Sequence, residues 1–174
     1  MKKLLIVVDY QVDFVSGTLG FEGAEKLTDV IKEKIESYIS NNHDIIYTLD
    51  THYQDYLDTY EGKHLPVKHC IKGSMGHELV KDIDYRNNAI QVFEKNTFPS
   101  LELGIYLKDK NYDEVELCGL VSNICVISNA IIVKSALPNA HIVIDALATD
   151  SFDKALQEKC FDVLQGLQIS VINR

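Results

Sequence analysis

A parallel β-sheet covered by helices on both faces is the fold class that this sequence predicts, on three observations. Short aliphatic runs alternate with stretches of helical period along the whole chain; the run Leu4 to Val8 is apolar at every position; charged residues stand directly after several of the runs. A strand that is apolar on both sides is buried on both sides, which is the environment of a parallel sheet between helical layers. Strand–helix–strand repetition supplies the crossovers that parallel strands require.

Leu4 to Val8 is the first strand. From about Glu25 to Ser40, Leu27, Val30, Ile31, Ile35 and Ile39 recur at helical spacing and predict a helix. Asp44 to Leu49 reads as the second strand, Ala89 to Phe93 as the third and Glu114 to Leu117 as the fourth. Gly119 follows, then a helix to roughly Ala136, closed by Pro138. His141 to Ile144 is the fifth strand, Phe152 to Leu164 another helix, and Gln168 to Ile172 the sixth strand. The segment Thr51 to Asp84 has no clear period and is rich in His, Tyr, Asp and Gly. Loops of that length inside a compact domain are usually functional. No Pro/Ser-rich linker, repeat or low-complexity tract interrupts the chain, so residues 1–174 read as one domain.

Hydrophobic residues make up 46% and charged residues 25%, an ordinary globular balance that excludes disordered and fibrous classes. Lys plus Arg number 17 against 26 Asp plus Glu, a formal charge of −9. An acidic surface repels phosphate backbones and anionic lipid, so neither nucleic acid nor a membrane surface is an expected partner. The first apolar run meets Asp9 too soon for a signal-peptide core, and no stretch is long enough to span a bilayer. Cys70, Cys118, Cys125 and Cys160 form no secreted disulfide framework, and as reduced thiols they point to the cytoplasm.

In open α/β sheets, ligands bind outside the carboxyl ends of the strands. The sequence places Asp9, Asp50, Lys95 and Asp145 there, after strands one, two, three and five. After strand four, Ser122 suits a helix N-cap and puts Cys125 in the first helical turn. In that turn the free N–H groups and the helix dipole favour a thiolate and can hold an oxyanion. A nucleophilic thiol needs a base and a charge-balancing neighbour. No histidine stands at a strand end, whereas Asp9 and Lys95 do. Singly, such an Asp caps a turn and such a Lys is solvated; it is their convergence with Cys125 that favours catalysis.

The long loop carries a second chemistry. Asp50 and His52, then Glu61, then His69 offer two nitrogen and two oxygen donors, a set suited to Zn²⁺ or another first-row divalent ion. Asp55, Asp58 and His64 are alternatives to Glu61; Cys70 is an alternative thiolate ligand that reads better as a core residue, and Cys118 and Cys160 likewise read as core.

Five segments together, Leu5 to Phe14, Asp50 to His52, Pro66 to Gly73, Glu94 to Phe98 and Cys118 to Val126, resemble the isochorismatase-like cysteine hydrolases, and within them the nicotinamidase/pyrazinamidase group. The resemblance covers nearly the whole chain. It implies a six-stranded parallel sheet, three-layered and Rossmann-like, and a catalytic set of Asp9, Lys95 and Cys125. It implies a non-proline cis peptide at Leu120–Val121 that directs the Val121 N–H beside that of Cys125 as an oxyanion hole. It implies a divalent metal, zinc ahead of iron or manganese, on Asp50, His52 and His69. Glu61 then stands where a third histidine is commoner. Phe14 matches a position that packs on the substrate ring; its other reading is a core aromatic. The implied reaction is hydrolysis of nicotinamide to nicotinate and ammonia through a thioester, as in NAD salvage, in a chain that often self-assembles. The alternative is a metal-independent relative acting on another small carbamoyl, ureido or aromatic amide.

Three other classes fit less well. Vinyl-ether hydrolases of the superfamily generally lack the nucleophilic cysteine. A structural zinc or redox domain on Cys70, Cys118 and Cys125 lacks a Cys-x-x-Cys pair. A dinucleotide-binding domain is disfavoured because Gly17, Gly20 and Gly23 do not form G-x-G-x-x-G.

Overall fold

The computed structural model describes residues 1–174. Six parallel strands form one sheet in the order β3-β2-β1-β4-β5-β6, where β1 is Lys3–Val8, β2 Asp44–Asp50, β3 Gln91–Lys95, β4 Glu114–Leu120, β5 His141–Asp150 and β6 Ser170–Ile172. Helices α1 (Val12–Val15), α2 (Leu27–Ser40), α3 (Tyr60–His64), α4 (Leu101–Leu107), α5 (Ile127–Ala136) and α6 (Lys154–Gly166) connect or flank them.

The period-two geometry of a strand explains the unbroken apolar run of β1. Leu4, Ile6 and Val8 enter a core shared with residues of α4, α5 and α6, while Leu5 and Val7 enter a second core under α2. In α2, Leu27, Ile31, Ile35 and Tyr38 are buried, one stripe facing the sheet while the opposite face stays polar. Chain order runs outward from β1 in one direction and from β4 in the other, so the direction of winding reverses between those two central strands. The crevice at their carboxyl ends is where such a fold binds ligands. Gly119, at φ +109°, sits in that seam. A Cβ there would lie 2.0 Å from the Val8 carbonyl oxygen, so only glycine lets β4 lie this close to β1.

Several boundaries move from their predicted places. α4 was not predicted; Ser100 caps it by accepting the Leu103 N–H at 3.1 Å, and its seven residues are too short to show a period. β3 starts at Gln91, because a 3₁₀ turn over Arg86–Asn88 precedes it. α6 starts at Lys154, capped by Asp153, and leaves Phe152 outside it. β5 runs on to Asp150 rather than ending at Ile144. The register with β4 slips between Leu117 and Gly119, and pairing resumes with Gly119 opposite Thr149. Asp145 is therefore inside the strand, and Lys34 at 2.5 Å and Asn173 at 2.9 Å take its carboxylate. Ser122 is not a cap. Ser122–Val126 is a single π-helical turn preceded by Val121, and the buried Ser122 hydroxyl has no hydrogen-bond partner. Cys125 still lies in the first turn leading into α5.

Candidate active site

Three strand ends bring Asp9, Lys95 and Cys125 together. Asp9 follows β1 at φ +46°, a left-handed backbone uncommon for a residue with a Cβ and most often adopted by Asn and Asp. Its side chain is fully buried, and Oδ1 accepts the Thr48 hydroxyl proton at 2.7 Å. Lys95 ends β3 directly opposite Asp50 of β2. Its Nζ lies 2.6 Å from Asp9 Oδ2 and 3.6 Å from Asp50 Oδ1, and it donates to the Thr97 carbonyl at 3.0 Å. The same Nζ is 3.8 Å from Cys125 Sγ. One buried ammonium thus touches the carboxylate, the thiol and a residue of the histidine cluster.

Burial and charge set the protonation of these groups. Burial pushes the Cys125 thiol well above its ordinary pKa; Lys95 opposes this, while Asp9 and Asp50 add to it. Burial raises Asp9 as well, against the pull of Lys95. Burial alone would lower Lys95, but Asp9, the Cys125 sulfur and Asp50 outweigh it and hold the ammonium above its usual range. The resting thiol therefore keeps its proton and needs a base to lose it.

Beside this set, Asp50, His52 and His69 place one donor atom each within 4.8 Å of one another, all buried. Both histidines turn Nε2 to Asp50 Oδ2, at 3.1 and 3.2 Å. The Nδ1–H of His69 donates to the Val67 carbonyl at 2.8 Å, which orients the ring so that Nε2, the atom a histidine ligand would offer, faces the cluster. Glu61, in the first turn of α3, brings Oε1 to 3.6 Å from His52 Nε2 and 3.7 Å from His69 Nε2. The donor set, its burial and the fixed orientation of the His69 ring fit a divalent ion. Burial raises Asp50, but hydrogen bonds from both histidines and the Lys95 charge hold it below the usual carboxylate range. Burial and Asp50 together raise Glu61. The alternatives stand apart: Asp55 and Asp58 are exposed, and His64 donates to the Tyr60 carbonyl at 2.8 Å. Cys70 is fully buried, with its thiol toward the Gly76 carbonyl, and Cys118 and Cys160 pack in the two cores.

A cavity of about 380 Å³ opens onto both groups, with Cys125, Val121, Phe14, Asp50, Glu61 and His69 in its wall. The Phe14 ring lies 5.6 Å from that of His69. The Leu120–Val121 peptide is cis, as the resemblance implies.

Sequence reasoning assigned no role to Gln11. Its fully buried amide clamps Asp50: Oε1 accepts the Asp50 N–H at 2.8 Å, and Nε2 donates to the Asp50 carbonyl at 2.9 Å and the His77 carbonyl at 2.8 Å. Asp13 does similar service nearby, accepting the Cys70 N–H at 2.8 Å and so fixing the loop that carries His69. The signal available in the sequence was a polar residue three places after a strand buried on both faces, where an unpartnered amide would be costly. Gln11→Ala would strand the Asp50 N–H and both carbonyls, each left unsatisfied at roughly 1–3 kcal/mol. We expect a loss of about 3 kcal/mol, seen as a lower urea midpoint at unchanged slope.

Asp9, Lys95 and Cys125 gather at the switch point of a doubly wound parallel sheet, where folds of this α/β class bind their ligands. The chain belongs to the isochorismatase family: residues 3–173 match the Isochorismatase domain. It is similar to a nicotinamidase of Acinetobacter baylyi, 25% identical over 94% of this chain and 90% of that one. Among solved structures it resembles a nicotinamidase/pyrazinamidase of Bacillus subtilis, TM-score 0.86 and 26% identical, covering 98% of this chain and 99% of that one. It also resembles an N-carbamoylsarcosine amidase of Thermoplasma acidophilum, TM-score 0.81 and 26% identical, covering 98% and 95%. No helix is long and apolar enough to cross a membrane.

Proposed function

We propose that this chain is a metal-dependent cysteine amidohydrolase that converts nicotinamide to nicotinate and ammonia. The observation that carries the reading is the single Lys95 ammonium lying against both Asp9 and Cys125. Asp9 accepts the Cys125 proton, and the thiolate attacks the carboxamide carbon. The Val121 and Cys125 N–H groups hold the oxyanion. As the C–N bond breaks, Asp9 returns the proton to nitrogen and ammonia leaves, giving the thioester. Water then adds, Asp9 taking its proton; cleavage of the C–S bond frees the acid, and that proton restores the thiol. Lys95 stays protonated throughout, keeping Asp9 ionised as a base and balancing the sulfur charge. Asp50, His52 and His69, with Glu61, would hold the ion, most simply Zn²⁺ with this nitrogen and oxygen set. When bound, the ion supplies Lewis acidity toward the ring nitrogen and acidifies water for deacylation. Phe14 supports the ring from the side of His69.

The neighbour that acts on a carbamoyl amino acid suggests a second reading, a metal-independent amidase. Such a substrate carries a carboxylate, and the cavity wall holds Asp50 and Glu61 but no Lys or Arg. That charge balance favours a neutral ring amide. Ammonia release from nicotinamide, measured before and after chelation, tests the choice. We expect release that is lost on chelation and restored by a divalent ion. Release indifferent to chelation supports the metal-independent reading, and no release from folded, metal-loaded protein moves the substrate to another small amide.

A further inference from the structure

The cavity wall grades from buried residues to exposed ones, and the exposed ones are mostly apolar. Cys125, Val121 and Phe14, at 5%, 7% and 8% exposure, form its inner end with the histidine cluster. The outer end is built from Leu19, Phe21, Phe98 and Phe152, of which Phe98 and Phe152 are 42% and 64% exposed. Thr18 is the one polar residue there, and its hydroxyl already donates to the Lys68 carbonyl at 3.3 Å.

Phe152 is held in place although it is exposed. The ring meets Phe21 nearly edge to face, with centroids 6.1 Å apart. Its backbone is pinned on both sides: the Ser151 N–H donates to Asp150 Oδ1 at 2.8 Å, and the Asp153 N–H to Ser151 Oγ at 3.0 Å. Asp153 in turn caps α6. The Phe21 segment is tied down by the Tyr10 hydroxyl, which donates to the Ala24 carbonyl at 2.7 Å. Phe21 is partly buried against the core under α2 and anchors the pair, whereas the exposed Phe152 ring serves neither the core nor the amide chemistry, and apolar surface held open at a cavity mouth marks a binding contact.

We infer that the outer end is a subsite for an apolar substituent, so that the preferred substrates are uncharged aromatic amides larger than a bare pyridinecarboxamide. This rests on the amide-hydrolase reading for its substrate class. The inner end takes the carboxamide and its ring; the remaining length of the 380 Å³ cavity offers the substituent rings and methyls but no free donor or charge. A charged or sugar-bearing substituent would lose its hydration there without gaining a partner. Phe21 and Phe152 are the specificity-determining residues.

Binding is tested apart from turnover. In the metal-loaded Cys125→Ala protein, calorimetry should give 5-phenylnicotinamide about tenfold tighter than nicotinamide, and 5-carboxynicotinamide weaker than both. Phe152→Ala in that background should remove the tenfold preference while changing nicotinamide binding less than about twofold, and Phe152→Tyr should keep it. Phe152→Leu, which keeps an apolar side chain but loses the edge-to-face contact, gives an intermediate preference and serves if the alanine variant does not fold. Equal binding of the phenyl compound and nicotinamide, or an equal loss for both in Phe152→Ala, overturns the subsite. In the otherwise unaltered enzyme, kcat/KM should follow the same order, with the Phe152 effect in KM. Hydrolysis of neither amide alongside the binding preference would overturn the amidase reading and support the subsite.

Discussion

Cys125→Ala is expected to lower ammonia release from nicotinamide by about a thousandfold or more, since removing a nucleophile collapses the whole catalytic unit. Divalent-ion affinity should stay unchanged, because the sulfur is not among the clustered donors on Asp50, His52 and His69. No other thiol can substitute: Cys118 and Cys160 pack in the cores, and Cys70 lies against the Gly76 carbonyl with its pKa driven up by burial. The melting temperature should move only slightly, since the change removes one buried atom and one long contact to Lys95. A cobalt titration together with an ammonia assay checks both halves. Turnover retained in the alanine variant would remove Cys125 from the mechanism. A lost cobalt spectrum would mean that the thiol ligates the ion and that the two clusters are one.

The parts of the fold legible in sequence were those whose burial pattern is local. Leu4 to Val8 announces its strand because both faces of β1 are covered, and Leu27, Ile31 and Ile35 announce α2 because one face is. The parts that were illegible depend on partners remote in sequence. Nothing within β5 signals that it continues past Ile144, because the continuation is made by a register slip against β4. Asp145 looked like a strand-end residue for the same reason.

The site followed the same division. Asp9, Lys95 and Cys125 were legible because strand ends in a parallel sheet converge whatever the rest of the chain does. Glu61 was legible by spacing from His52 and His69, and α3 is what turns it toward them. Gln11 was not, because a glutamine that clamps the backbone of another strand looks in sequence like any polar residue after a strand. Phe152 was read as the start of a helix; it lies outside the helix because Asp153 takes the capping position.

Lys95→Met should unfold the protein most readily of all single changes at the site. The lysine side chain is only 2% exposed and lies between two buried carboxylates, Asp9 at 2.6 Å and Asp50 at 3.6 Å. Methionine keeps most of the volume and removes the charge, leaving Asp9 with two uncharged partners, the Thr48 hydroxyl and the Cys125 thiol. Breaking a buried pair by removing one member costs roughly 3–5 kcal/mol, because the surviving charge is stranded. For a chain of this size that is a fall in melting temperature of about 6–20 °C. Without the ammonium, burial raises Asp9 further above its ordinary value, so the folded variant binds a proton that the unfolded chain has released. Its stability then declines as pH rises above the ordinary carboxylate range, and the deficit relative to the parent protein should be larger at pH 8 than at pH 5. Calorimetric scans of both proteins at the two pH values read this directly. Catalysis should be lost at either pH: a protonated Asp9 accepts no proton from Cys125, and an ionised one has no cation to balance the thiolate. A variant as stable as the parent at pH 8 would mean that Asp9 is already neutral in the parent. The lysine would then serve Cys125 and Asp50 alone, and the base would have to be sought elsewhere.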